Sequence, residues 1–124
     1  MKKILIVEDE LSIANFIADV MHLLGYETKI LTTGKKVVSV AKEWGPDLIT
    51  LDIMMPPPDG IKVLHQLKGD PETRDIPVFI VSVVAQRPDF SKDLSNAQGI
   101  FSKPLNIKHF ISEIRRVCEL PGKA

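Results

Sequence analysis

Ile4-Leu5-Ile6-Val7, followed at once by Glu8-Asp9-Glu10, decides the fold. Four apolar residues, mostly branched and without polar alternation, make a short strand covered on both faces, as inside a parallel sheet. The three acids end the run, which is far too short for a signal peptide's apolar region or a membrane span. Outward from this strand the period changes. Ile13, Phe16, Ile17, Val20 and Leu24 recur at helical spacing and stop near Gly25. Residues 26–31 form a more polar strand, suited to a sheet edge.

The alternation then repeats. Val37, Ala41 and Trp44 mark a second helix, ended by Gly45-Pro46, and 48–51 is a third strand. The loop Met55-Pro56-Pro57-Pro58-Asp59-Gly60 is stiff, because its prolines forbid both helix and ladder pairing. Asp59 caps a helix bearing Ile61, Leu64 and Leu67; residues 78–81 make a fourth buried strand. Phe90, Leu94 and Ala97 place a fourth helix over 88–97, the weakest of the set and expected to be mobile. Residues 99–102 form a last strand. Asn106 then caps a helix whose Ile107, Phe110, Ile111, Ile114, Val117 and Cys118 form one apolar stripe. Five strands alternating with five helices imply an α/β doubly wound, mainly parallel sheet with helices on both faces.

Composition bounds what such a domain does. The 124 residues are the length of one domain, residues 1–124, and 44% apolar with 26% charged residues fits a soluble globular chain. Sixteen basic residues balance sixteen acidic ones, which argues against direct binding of nucleic acid or an anionic membrane through overall charge. A lone cysteine, Cys118, excludes an internal disulfide and fits a reducing cytoplasm; it reads as a small buried hydrophobe. His22, His65 and His109 have no metal-ligating spacing and read as surface residues.

Doubly wound sheets bind ligands beyond the carboxyl ends of their strands. Glu8 and Asp9 follow strand one, Asp52 strand three, Ser82 strand four and Lys103 strand five. Three carboxylates from neighbouring strands would share a small volume, where repulsion is costly unless a cation joins them. Magnesium suits so sparse an oxygen site.

Ile-Leu-Ile-Val-Glu-Asp-Glu at 4–10, Leu-Asp-Ile-Met-Met-Pro-Pro-Pro-Asp-Gly at 51–60, Val81-Ser82 and Ser102-Lys103-Pro104 together resemble the response-regulator receiver domains of two-component signalling. The resemblance covers nearly the whole chain. It implies a flavodoxin-like (βα)5 fold with strand order 2-1-3-4-5. It also implies Asp52 as phosphoacceptor, with Mg2+, or Mn2+ as a substitute, held by Glu8, Asp9, Asp52 and the backbone carbonyl of Met54. Lys103 and Ser82 would contact the phosphoryl group, and Ser82 and position 100 would act as the switch. The implied partners are a sensor histidine kinase or phosphotransfer protein and a downstream protein target, and the domain would signal in the cytoplasm rather than act as an enzyme.

The residues agree with that chemistry. An aspartate attacking an anionic phosphoryl group needs cations on the equatorial oxygens, and the serine hydroxyl can bond the added group and so report it. Four departures from the family pattern stand out. Ile100 replaces the usual aromatic switch, while Phe101 is expected to face the core; Val83 replaces a small residue and is expected to narrow access to Asp52. Met54 and Val84 cannot orient an attacking water by hydrogen bonding, so a long-lived phosphorylated state is expected. The rival function is a phosphorylation-independent interaction module of the same fold. An aspartyl phosphatase would need a second acid two residues after Asp52, and a flavin site a Ser/Thr/Gly-rich loop after strand one; neither is present. The ending at 120–124 fits either a stand-alone regulator or a chain cut before an effector domain.

Overall fold

In the computed structural model, which describes residues 2–84 and 87–119, β1 (Lys3–Val7) is an interior strand of a five-stranded sheet. It pairs in parallel with β2 (Glu27–Leu31) on one side and β3 (Leu48–Leu51) on the other. β3 pairs with β4 (Val78–Ser82) and β4 with β5 (Gly99–Ser102), so the order is 2-1-3-4-5 and every pairing is parallel. The order reverses between β1 and β3, which opens a crevice beyond the ends of those two strands.

Alternation along the strands splits the core into two layers. Ile4, Ile6, Phe79, Val81 and Phe101 face α1 (Leu11–Leu23) and α4 (Ile107–Glu119). Leu5, Val7, Ile49, Leu51 and Ile80 face α2 (Val37–Trp44) and α3 (Gly60–Lys68). Strands buried on both faces have no polar side to alternate with, which is why Ile4 to Val7 of β1 are all apolar. Phe101 is buried, as expected, with its ring against Phe79 and Phe110.

Local chemistry sets the helix ends. Gly45 closes α2 in the left-handed region at φ 67°, where a side chain would be strained. Asp59 caps α3 by accepting from the Lys62 amide at 3.0 Å, and Asn106 accepts from the His109 amide at 3.1 Å.

The fourth expected helix is not an α-helix. Pro88–Phe90 is one 3-10 turn, followed by further turns to residue 96, so the described residues hold four α-helices rather than five. The apolar spacing was real but served another end: Leu94 is buried and Phe90 and Ala97 pack beside it, while bonds of the i to i+3 type at Ser91, Ser95 and Ala97 break the helical ladder. Ser91, Asp93, Ser95 and Asn96 favour such local turns over helix. The ending at 120–124 lies outside the described residues.

Candidate functional site

Glu8 and Asp52 continue the first and third strands by one residue, their amides donating to Leu31 and Val7 carbonyls at 3.0 and 3.1 Å. The ladders therefore hold both backbones at the rim. Both side chains are buried, at 2% and 4% exposure, whereas Asp9 next door is exposed. One carboxylate oxygen from each of Glu8, Asp9 and Asp52 lies within 4.8 Å of the others.

Lys103 enters from the end of β5. Its Nζ stands 2.8 Å from Glu8 Oε1 and 3.3 Å from Asp52 Oδ2. Three ionised carboxylates and one ammonium carry a formal charge of minus two, which one divalent cation would cancel. Among the described residues this is the only cluster of three or more His, Cys, Asp or Glu side chains able to hold a metal.

The electrostatics follow from burial. Loss of water pushes the Glu8 carboxyl up to about 7, assisted by the Asp52 charge and opposed by the hydrogen bond from Lys103 and the Glu10 amide. Burial would draw Lys103 down, but its hydrogen bond to Glu8 and the Asp52 and Glu8 charges outweigh this and hold it above its ordinary range. The ammonium stays charged.

Asp52 is further positioned by the Met54 amide, which donates to Oδ1 at 3.2 Å. The Met54 side chain is exposed. Ser82 closes β4; with Leu51 abreast of Ile80, it lies one residue beyond the level of Asp52. Its Oγ is fully buried and has no hydrogen-bond partner. A buried hydroxyl without a partner is costly, so it is poised for an acceptor that arrives later. Ile100 sits elsewhere: it is abreast of Ile80, below the rim, in the α2/α3 layer. Val83 is 65% exposed in the turn after β4.

One contributor escaped the sequence. A Cβ on Gly60 would come within 2.1 Å of the Asp52 carbonyl oxygen and 2.6 Å of Ile53 Cα. Only glycine lets α3 start against the backbone that carries Asp52, and the Asp59-Gly60 pair was the visible signal.

The sequence matches the response regulator receiver domain family over residues 4–115. The chain belongs to that family. The receiver domain is 34% identical over 115 residues to the polar-differentiation response regulator DivK of Brucella ovis, covering 92% of this chain and 94% of DivK. It is 31% identical over 116 residues to the DNA-binding dual master transcriptional regulator RpaA of Synechocystis, covering 93% of this chain but 48% of RpaA, so it spans about half the length of that relative. In three dimensions it is similar to the receiver domain of a Pseudomonas aeruginosa sensor histidine kinase crystallised with a magnesium ion in its active-site cleft. There the TM-score is 0.86 at 22% identity, over 96% of this chain and 98% of the other, which shows the fold. Receiver domains are signalling domains of two-component systems, and the interaction-only rival is not favoured.

Proposed function

We propose that this receiver domain accepts a phosphoryl group on Asp52 from a sensor histidine kinase or phosphotransfer protein, and passes the change to a downstream protein in the cytoplasm without being an enzyme. The convergence of Glu8, Asp9, Asp52 and Lys103 at one rim carries the proposal. An Asp52 carboxylate oxygen forms the new bond to phosphorus as the bond to the donor's leaving group breaks, and the leaving group keeps that electron pair. Lys103 neutralises charge on the phosphoryl oxygens. Magnesium, with manganese as a substitute, fits the acidic oxygen donors of Glu8, Asp9 and Asp52 together with the Met54 carbonyl, and when bound it would supply further charge neutralisation. Ser82, whose hydroxyl lacks a partner, donates to the new phosphoryl group and draws the following turn inward. Ile100 takes the place of an aromatic switch residue in the strand beside it.

The test is the intact mass of the protein after incubation with Mg2+ and a small acyl phosphate, for wild type and Asp52→Asn. One phosphoryl adduct in wild type alone is expected; no adduct, or equal adducts in both, contradicts the assignment. Because Met54 and Val84 offer no hydrogen bond to an attacking water, the adduct should decay slowly once the donor is removed. Loss within seconds would contradict that part.

A further inference from the structure

Beside the acidic rim runs a second, apolar feature. A cleft of about 400 Å³ is lined by the loop after β3, which supplies Ile53, Met54, Met55 and Pro56, by the turn carrying Phe90, and by Ile61. Among the described residues, Asp59 is its one charged lining residue. The loop wall is preorganised: three successive prolines stiffen it, and the Met55 and Gly60 amides both donate to the Ile53 carbonyl at 3.0 Å. Met54 is 56% exposed, a large flexible apolar side chain held in water.

The cleft continues along α3 into a second groove lined by Ile61, Lys62, His65 and Gln66, with Asp59 and Ile61 shared by both. A channel that runs on past one side chain's width suits a polypeptide better than a compact small molecule. Charge selects among polypeptides at the apolar cleft itself, where the described lining residues include no basic one; Lys62 lines only the groove beyond it. Asp59 lies on the cleft, and Asp52, whose Oδ1 bonds the Met54 amide, places the acidic rim directly behind one wall. Next to Phe90, Arg87 is occupied, its guanidinium paired with Asp89 at 3.1 Å and stacked 5.6 Å from the Phe90 ring centroid.

We propose that this cleft docks a protein partner that inserts one large apolar side chain flanked by a basic residue. The inference deepens the signalling function, because Phe90 stands in the segment that leaves β4 after Ser82. Displacement of Ser82 by a phosphoryl group would move one wall relative to the other, so that partner binding and phosphorylation are linked in both directions.

The test runs on the unphosphorylated chain without divalent ions, so it stands or falls apart from the assignment of Asp52. The chain has four methionines, of which Met54 and Met55 line the cleft and Met21 is buried in the α1/α4 layer, an internal control. With methyl-labelled methionine, the dipeptide amides Arg-Phe-NH2 and Glu-Phe-NH2 are titrated as probes. Saturable shifts of the Met54 and Met55 methyls with Met21 unmoved are expected, with Arg-Phe-NH2 bound at least about threefold more tightly, as for a partly exposed charge pair. Phe90→Ala should weaken both probes. Asp59→Asn keeps the helix cap and should remove most of the preference for the basic probe. Absence of saturation, equal binding of the two probes by wild type, or an undiminished preference in Asp59→Asn would overturn the proposal.

Discussion

Lys103 reaches back across the sheet end to stand 2.8 Å from Glu8, nearer than its 3.3 Å approach to Asp52. The lysine thus neutralises part of the acidic rim before any other cation arrives. Removing one partner of a buried charged pair leaves the others uncompensated. Lys103→Met should lower stability by about 2–4 kcal/mol at neutral pH in the absence of divalent ions. Saturating Mg2+ should restore part of the loss, both read from urea unfolding. An unchanged midpoint would show that the contact carries little of the rim's electrostatics.

Burial sets the sign of a pH dependence at Glu8. Its carboxyl rises from 4.5 to about 7 on folding, so between those values the folded chain holds a proton that the unfolded chain has released. This group's contribution therefore falls as pH rises through that window, by at most about 1.4 kcal/mol per pH unit, and is level above it. Glu8→Gln should flatten the corresponding part of the unfolding profile measured without divalent ions. A Glu8→Gln profile as steep as that of wild type would refute the assignment.

Ser82 carries a buried hydroxyl with nothing to bond. Ser82→Ala should leave the unmodified protein as stable as wild type or more stable by about 1 kcal/mol, since a desolvated group is removed without breaking a bond. The same change should diminish the amide shifts that phosphorylation produces in the turn after β4. A clear loss of stability would mean that the hydroxyl already has a partner.

Gly60 touches the backbone of Asp52 where no side chain fits. Gly60→Ala must push α3 away from the Asp52 carbonyl, at a cost of about 1–3 kcal/mol typical of overpacking. Because the displaced backbone carries Asp52, phosphoryl transfer should slow as well. A variant with wild-type stability and rate would show that the helix start adjusts freely.

The strands and the site were legible because their signals are local. The run Ile4 to Val7 suits a doubly covered strand, and in a parallel sheet the residues after such strands gather at one end, which places Glu8, Asp52 and Lys103 at one rim. Three things were not legible. The burial of Glu8 and its contact with Lys103 depend on β1 and β5 being joined through β3 and β4, a relation between residues 95 positions apart that no period encodes. The close approach at Gly60 is a steric fact of packing. The turns over 88–96 mimic a helix because Phe90 and Leu94, four residues apart, anchor them to the core; local preferences of serine, aspartate and asparagine then prevailed over the stripe.

The central claim is that Glu8, Asp9 and Asp52 together capture a divalent cation. Calorimetric titration of Mg2+ into wild type and Asp9→Asn tests it most directly, because Asp9 is exposed and its replacement leaves the core intact. One saturable site in wild type, weakened at least about tenfold in Asp9→Asn, is the predicted result. No saturable binding in wild type, or equal binding in the two, would contradict it.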